Sequence, residues 1–337
     1  MRAKANILNS IGNTPLIRLE RKFPKPYDVY AKLEGINPGG SMKDRTADSI
    51  ITNLLKSGIV SRGDTIIESS SGNMAVGLAQ ACLFYGLRLV VVVDPKLNPQ
   101  TEKLLKAYSA DIVMVRKPKP NGGYLAARLD KVRELLRTIP GSFWSNQYGN
   151  PNNPMAYHQV MQEIFESISK VDYMFIATST CGSLMGCSDF IVQRGLNTKL
   201  IAVDAIGSVI FGGASGTRKI PGHGAGMPSK FLDVNRVFDV IHVSDSDCVK
   251  GCRSLLKSEA ILAGGSSGGI VTAYEKYQNK LPRDSVSVLL FPDRGERYLD
   301  TIYNEEWVVE NVSQDTDRIN ARTSLETKPK SIFHESL

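Results

Sequence analysis

The chain has 337 residues, of which 42% are hydrophobic and 22% charged, and its formal net charge is +7. This composition is ordinary for a soluble protein of one large domain or two closely associated ones. The longest apolar run, LVVVV, is far too short to span a membrane, and the N-terminus has no apolar signal core. We therefore predict a cytoplasmic protein with no membrane partner.

Charge and cysteine content exclude further classes. The 41 basic and 34 acidic residues are interspersed, and no basic run is interleaved with aromatics, which argues against nucleic-acid binding. Five cysteines, an odd number, argue against a disulfide framework. Cys248 and Cys252 share one face of a predicted helix, but no histidine stands near them in the sequence. We predict packed or free thiols and no metal site.

Short apolar segments along the chain predict eight strands, and amphipathic segments between most of them predict helices. The predicted strands are 28–34, 65–70, 87–94, 110–115, 172–178, 199–205, 237–244 and 286–292. The clearest predicted helices are 74–86, 99–110 and 122–139. Alternating strands and helices favour mostly parallel sheets with helices on both faces. We predict an α/β protein built from two doubly wound domains.

Two turn-rich segments, NPGG at 37–40 and NQYGNPNNP at 146–154, mark the predicted domain boundaries. Residues 1–38 and 146–310 would form a larger, cofactor-binding domain. Residues 39–145 would form a smaller domain inserted into it. The polar, aperiodic stretch 311–337 is predicted to be a loose tail.

Three loops rich in glycine and hydroxyl residues each follow an apolar run and precede a helical pattern. They are SSSGNM at 69–74, STCGSLMG at 179–186 and GGSSGG at 264–269. Parallel sheets place ligands at the ends of their strands, and helix N-termini attract anions. Glycine and serine also simply form turns. Three such loops on one chain favour binding of phosphate or carboxylate.

Lys43, in NPGGSMKDR, is the candidate for covalent or acid–base chemistry. No P-loop, GxGxxG, HExxH or GxSxG motif is present, and the four histidines are scattered. If a helix begins at Lys43, its amine lies near the positive end of the macrodipole, which favours the neutral, nucleophilic form. A solvated lysine beside Asp44 is the alternative on this segment alone. The anion-binding loops favour the reactive lysine.

The ordered motifs resemble those of a known family. They are IGNTPL (11–16), NPGGSMKDR (37–45), SSGNM (70–74), NQYGNPNN (146–153), STCGS (179–183), AILAGGSSGG (260–269) and PDRGERYL (292–299). The chain resembles the pyridoxal-phosphate enzymes of the cysteine synthase and cystathionine β-synthase group, with the fold-type II, tryptophan synthase β-like architecture. The resemblance covers roughly residues 7–305.

The resemblance implies a role for each matching residue. Lys43 would hold pyridoxal 5'-phosphate as a Schiff base and later move the substrate α-proton. Asn73 would bond the ring oxygen of the cofactor, and Ser266 would face its pyridine nitrogen. The remaining implied ligands are Ser179, Thr180, Cys181, Gly182 and Ser183 for the cofactor phosphate, and Ser70, Ser71 and Gln147 for the amino-acid carboxylate.

The hydroxyl of Ser266 also bears on the reaction class. It does not keep the pyridine nitrogen protonated as a carboxylate would, so the ring is a weaker electron sink. Prompt loss of a β-leaving group is then favoured over a long-lived carbanion. The implied reaction is β-elimination to an aminoacrylate, followed by addition of a nucleophile.

Three segments depart from ordinary cysteine synthases, namely 93–108, 117–129 and 205–213. They resemble the branch that makes N-(2-amino-2-carboxyethyl)-L-glutamate from O-phospho-L-serine and L-glutamate, on the way to L-2,3-diaminopropionate in siderophore (staphyloferrin B-type) biosynthesis. A phosphorylated substrate calls for an extra cation, and Arg128 is the candidate. A solvated arginine on an amphipathic helix fits the sequence equally well. His223 could likewise touch substrate or be an exposed loop residue.

Three functions are kept open by these patterns. The first is the O-phosphoserine-dependent synthase, and the second is a cysteine synthase that uses O-acetylserine or O-phosphoserine with sulfide. The third is a catalytically silent protein that uses the same loops, which the presence of Lys43 disfavours. The resemblance further implies a homodimer, small amino-acid substrates, and closure of the smaller domain over the bound substrate.

Overall fold

The computed structural model describes residues 3–312 and contains two sheets. The six-stranded sheet has the order β1-β2-β10-β7-β8-β9, and the four-stranded sheet has the order β5-β4-β3-β6. All neighbours pair in parallel except β1 with β2. The predicted α/β class with mostly parallel sheets is confirmed.

The bounds of the strands and helices follow in chain order. The strands are β1 (Leu16–Arg18), β2 (Asp28–Leu33), β3 (Thr65–Glu68), β4 (Arg88–Val93), β5 (Asp111–Met114), β6 (Ser142–Trp144), β7 (Tyr173–Ala177), β8 (Lys199–Ala205), β9 (Asp239–Val243) and β10 (Val286–Phe291). The helices are α1 (Lys43–Lys56), α2 (Asn73–Tyr85), α3 (Pro99–Ala107), α4 (Gly123–Thr138), α5 (Asn152–Met155), α6 (His158–Ser167), α7 (Gly182–Gln193), α8 (Asp245–Glu259), α9 (Gly265–Tyr277) and α10 (Glu305–Asn311).

Each of the eight predicted strands contains an observed strand, and the three predicted helices match α2, α3 and α4 within a few residues. The sequence patterns missed β1 and β6 because each has only three residues, too few to show a period. The boundaries at residues 38/39 and 145/146 stay a prediction. Of the predicted tail 311–337, Asn311 instead ends α10, and residues 313–337 lie outside the described residues.

Local sequence signals explain where the helices begin and end. α3 begins after Asn98, whose side chain accepts from two backbone N–H groups, with proline at the first helical position. α2 ends at Gly86, whose φ of +71° suits only glycine well. α8 begins with a capping box formed by Ser244 and Asp247.

The strands β3, β4, β7, β8 and β10 are buried on both faces, which explains their continuous apolar sequences. Five consecutive residues of β4, from Leu89 to Val93, are buried between helices. Because the two sheets place the C-terminal ends of their strands near α1, α2, α7 and α9, the glycine- and serine-rich loops converge in one region. Within the described residues, no helix is both long and apolar enough to cross a bilayer.

Candidate active site

Lys43 is the first residue of α1, as the sequence predicted. Its Nζ donates to the hydroxyl of Tyr157 at 3.4 Å and lies 5.9 Å from that ring's centroid. Tyr157 is fully buried, and its hydroxyl also contacts Thr46 Oγ1 at 2.9 Å. The amine therefore reaches into the protein rather than out into solvent.

The neighbouring Asp44 does not pair with Lys43 but faces the glycine turn before the helix. Asp44 Oδ2 accepts from the backbone N–H of Gly39 at 2.6 Å. Burial raises the pKa of this carboxyl to about 7, although the Gly39 N–H and the charge of Arg297 oppose the shift. Asp44 thus closes the turn that precedes Lys43. This hydrogen bond is the local role of the segment NPGGSMKD.

Asn73 begins α2 and is held by two side chains that sequence reasoning did not single out. Its Nδ2 donates to Asp293 Oδ2 at 2.8 Å, and its Oδ1 accepts from the guanidinium of Arg297. Asp293 is 5% exposed and also accepts from the hydroxyl of Tyr298 at 2.5 Å. Burial raises the pKa of the Asp293 carboxyl, and the nearby Lys43 charge opposes this shift.

Glu68, at the end of β3, joins the two loops predicted to hold a substrate carboxylate. Its carboxylate accepts from the backbone N–H of Ser69 at 2.8 Å and from that of Gln147 at 3.2 Å. Ser70 and Ser71 continue the first loop, whose start at Ser69 is therefore held beside Gln147 by the one carboxylate. β6 is the missed element that makes this possible, because it pairs with β3 and ends just before Ser145.

Asn153, within the NPNN segment, links these loops to the predicted phosphate loop. Its Nδ2 donates to the carbonyl of Gln147 at 2.7 Å and to Thr180 Oγ1 at 3.2 Å. Its side chain also fills the space where a Cβ on Gly182 would stand. Glycine at position 182 is therefore required by close packing.

The predicted phosphate loop lies between β7 and α7. Cys181 is in the left-handed conformation with φ +62° and precedes the first helical residue, Gly182. Thr180 and Ser183 are buried, and the Thr180 carbonyl accepts from Ser229 Oγ at 2.6 Å. Burial raises the pKa of Cys181 to about 12, so its thiol stays protonated at neutral pH. The loop offers hydroxyls and the first-turn N–H groups of a twelve-residue helix.

Ser266 lies in the first turn of α9 and is 6% exposed. The preceding Gly264 packs directly on Asp293, leaving no room for a Cβ, and its N–H donates to the Asp293 carbonyl at 3.1 Å. The start of α9 is thus fixed against the residue that holds Asn73.

These residues fit pyridoxal phosphate. One region contains a group for each part of the cofactor: an amine for the aldehyde, an amide for the ring oxygen, a hydroxyl for the ring nitrogen and a helix N-terminus for the phosphate. Asp293 Oδ1, buried there, has no hydrogen-bond partner in the described part of the chain. Lys43, Asn73, Ser266 and the loop 179–183 are the residues that would hold the cofactor.

Arg128 lies in α4 at the C-terminal end of β4. Its side chain is 16% exposed, and its Nε lies 3.4 Å from Asp94 Oδ2 as an ion pair without hydrogen-bond geometry. Arg128 is therefore not a fully solvated arginine. Its role toward a substrate phosphate stays a prediction.

Tyr148 connects Arg128 to the predicted phosphate loop and to a second arginine that the sequence patterns missed. Burial raises the pKa of Tyr148, and the Ser179 side chain opposes the shift. The positive charges of Arg128 and Arg218 oppose that shift. Arg128 belongs to the part of the chain around the four-stranded sheet, whereas Arg218 belongs to the loop after β8. Both positive charges therefore act on Tyr148, although they come from different parts of the chain.

His223 and the cysteines are buried side chains, and of these only Cys181 lies in the loop predicted to hold the cofactor phosphate. His223 is 2% exposed, its Nε2 contacts the carbonyl of Val203 at 3.1 Å, and its Nδ1 contacts Cys248 Sγ at 3.5 Å. His223 is therefore not an exposed loop residue, and its contact with substrate stays a prediction. The five cysteines are free and buried, and no group of three or more metal-ligating side chains is assembled within residues 3–312.

Comparisons with known proteins agree with this geometry. A family model described as "Pyridoxal-phosphate dependent enzyme" matches residues 7–293. O-acetylserine sulfhydrylase isoform 3 from Entamoeba histolytica is 31% identical with a TM-score of 0.83, over 90% of this chain and 92% of that one.

Two further solved structures are similar over nearly the whole chain. The O-acetylserine-dependent cystathionine β-synthase from Helicobacter pylori is 30% identical with a TM-score of 0.83, over 90% of this chain and 100% of that one. An O-ureido-L-serine synthase is 29% identical with a TM-score of 0.81, over 95% and 100%.

Proposed function

The chain belongs to the pyridoxal-phosphate dependent enzyme family, and we propose that it replaces the phosphate of O-phospho-L-serine with the amino nitrogen of L-glutamate. The Cβ–O bond breaks and phosphate leaves. A Cβ–N bond then forms, and the glutamate amine loses a proton. The product is N-(2-amino-2-carboxyethyl)-L-glutamate, a precursor of L-2,3-diaminopropionate for siderophore biosynthesis.

The chain's own residues divide this work among three regions. Bound pyridoxal phosphate supplies the electron sink for loss of the β-substituent. Lys43 would take the substrate α-proton and return it to Cα after the Cβ–N bond forms, with its amine directed by the Tyr157 hydroxyl 3.4 Å away. Ser70, Ser71 and Gln147 would hold the carboxylate, because Glu68 fixes their loops side by side.

The observation that supports a phosphorylated donor is the state of two arginines, Arg128 and Arg218, whose charges both act on Tyr148. Arg128 Nε and Arg218 Nε are each buried without a hydrogen-bond partner in the described residues. A buried guanidinium donor left unpaired costs free energy, which an anion would recover. Arginine also binds phosphate and carboxylate through two parallel hydrogen bonds. A dianionic donor followed by a dicarboxylic acceptor suits such a region better than sulfide does.

The three segments that depart from ordinary cysteine synthases also support this choice. Arg128 lies at the end of one of them, 117–129, and the stretch 205–213 leads toward Arg218. We also propose that the protein is a homodimer and that its smaller domain is mobile, as the family resemblance implies.

A cysteine synthase is the second candidate function. The similarity to a sulfhydrylase at 31% identity favours it, because that protein's reaction shares the β-elimination half. Its donor would be O-acetylserine or O-phosphoserine, and its acceptor would be sulfide.

A matrix of donors and acceptors tests the proposal. The purified enzyme is incubated with O-phospho-L-serine or O-acetyl-L-serine, each with L-glutamate, L-aspartate or sulfide, and products are identified by mass. We expect the glutamate adduct and stoichiometric phosphate from O-phosphoserine alone. Cysteine from sulfide, with no glutamate adduct from either donor, would overturn the proposal in favour of the second candidate.

A further inference from the structure

Asp293 lies where three segments of the active site meet. It follows β10, the strand between β2 and β7 in the six-stranded sheet. Its backbone forms an isolated antiparallel bridge with Ser41, two residues before Lys43. Its carbonyl accepts from Gly264, which precedes the helix of Ser266, and its side chain accepts from Asn73. One residue thus contacts the three segments that carry Lys43, Asn73 and Ser266.

The hydrogen bonds that the Asn73 amide makes to other side chains leave one of its two N–H groups unused. A primary amide has two N–H donors and one acceptor oxygen. The oxygen accepts from Arg297, and one N–H is donated to Asp293 at 2.8 Å. An amide bound in this way cannot flip, since a flip would place oxygen against carboxylate and N–H against guanidinium. Its second N–H is therefore held in one direction.

We propose that Asp293 is a positioning residue that, with Arg297, locks the Asn73 amide so that its remaining N–H donates to the ring oxygen of pyridoxal phosphate. The inference needs the cofactor assignment but not the identity of the donor or acceptor. Both partners of Asn73 come from PDRGERYL, a motif whose residues have no other role in the proposed reaction.

The burial of Asp293 strengthens this assignment. A buried carboxylate is costly unless its oxygens are paired, yet Oδ1 has no hydrogen-bond partner within residues 3–312. Its pKa is raised by burial. Because its burial costs free energy, the Asp293 carboxylate is better explained by a role in orienting Asn73 than by a role in stabilising the fold.

The test measures cofactor affinity rather than turnover. Apoenzyme is titrated with pyridoxal phosphate, and binding is followed by visible absorption and by quenching of tryptophan fluorescence. We expect Asp293→Ala to weaken cofactor binding about tenfold, the loss typical of one hydrogen bond to a charged or buried group. Asp293→Asn keeps an acceptor for Asn73 and should stay within about threefold of wild type.

A double-mutant cycle separates positioning from a structural role. In an Asn73→Ala background, Asp293→Ala should add less than about twofold, because the residue it orients is already gone. Tyr298→Phe removes the other partner of the same carboxylate oxygen without touching Asn73. It should lower the melting temperature of the apoenzyme and leave cofactor affinity within about twofold.

An undiminished affinity in Asp293→Ala would overturn the inference. So would an equal loss in the wild-type and Asn73→Ala backgrounds, which would show that Asp293 acts independently of Asn73. If the wild-type enzyme binds cofactor but forms no glutamate adduct, the proposed function fails while this inference is unaffected.

Discussion

Two groups of arginines in this protein differ in how fully their hydrogen bonds are satisfied. Beneath α1, Arg45 bonds Glu34 at 2.6 and 2.9 Å and Glu163 at 2.8 Å through two nitrogens. Arg128 and Arg218 each keep an Nε without a hydrogen bond within the described residues, although Arg128 Nε lies 3.4 Å from Asp94 Oδ2 as an ion pair. A guanidinium in which every nitrogen makes a hydrogen bond, like that of Arg45, holds one structure. A guanidinium with an N–H that lacks a hydrogen bond is suited to bind a ligand.

The saturated cluster also explains how α1 is placed. Lys32 bonds Glu163 at 2.6 Å, and Glu34 accepts from Thr14 at 2.7 Å. The cluster therefore ties β2, α6 and the IGNTPL segment to the first turn of α1. Because Lys43 and Arg45 share that turn, a charge network remote from the chemistry determines where the amine stands.

Replacing Lys43 gives the largest expected effect and tests whether the chemistry depends on the helix that Arg45 anchors. Lys43→Ala should abolish the visible absorption of the lysine-bound cofactor and lower turnover by roughly three orders of magnitude or more. Lys56→Ala, at the exposed end of the same helix, should change neither. Retained turnover in the Lys43 variant would remove this lysine from the mechanism.

Arg45→Ala tests the cluster in which every nitrogen of the arginine bonds a buried carboxylate. It leaves Glu34 and Glu163 buried without their main partner, so we expect a loss of about 3–5 kcal/mol in the free energy of unfolding, measured by urea denaturation. Arg88→Ala, which breaks the exposed pair with Asp111 at 3.1 Å, is the matched control and should cost about 0–1 kcal/mol. Equal losses in the two variants would mean that the buried hydrogen bonds of Arg45 stabilise the protein no more than an exposed ion pair does.

Arg128→Gln tests the unsaturated side. We expect kcat/KM for O-phospho-L-serine to fall about 10- to 100-fold, the loss of a charge-assisted hydrogen bond. The value for O-acetyl-L-serine should not fall in parallel. Arg133→Gln, on the same helix but exposed and paired with Asp130, serves as the control. A parallel fall for both donors would contradict a phosphate-binding role.

Asp44 gives the smallest expected effect and sharpens the comparison at the turn before Lys43. Its pKa is raised from 3.8 to about 7, so between these values the folded protein holds a proton that the unfolded chain has lost. Stability from this group is therefore complete below about pH 4 and is lost as the pH rises to about 7.

Asp44→Asn cannot titrate but keeps an acceptor for Gly39. Between pH 5 and pH 8, wild type should lose about 2–3 kcal/mol more of its unfolding free energy than this variant. Asp111→Asn, at an exposed position, should follow wild type. If wild type and Asp44→Asn lose stability equally across this range, the raised pKa is not what governs it.

Much of the fold and part of the site were predictable from local patterns. Helix α1 begins at Lys43 as expected, and the loops at 69–74 and 179–186 each lie between a strand and a helix, whereas 264–269 follows helix α8 and begins α9. β1 and β6 were not predictable, since three residues show no alternation. β6 nonetheless decides where Gln147 lies, because it places that loop beside the end of β3.

The sequence by itself determined the chemistry that was available: one lysine at a helix start, glycine loops for anions, and no histidine, cysteine or nucleotide motif to compete. These are properties of short segments, which propensity and spacing govern. Only the tertiary structure decided which distant residues meet. Asn73 and Asp293 are separated by 220 positions, and Arg45 and Glu163 by 118. Such pairs depend on how the two sheets pack, because burial of apolar faces fixes contacts that no local pattern encodes.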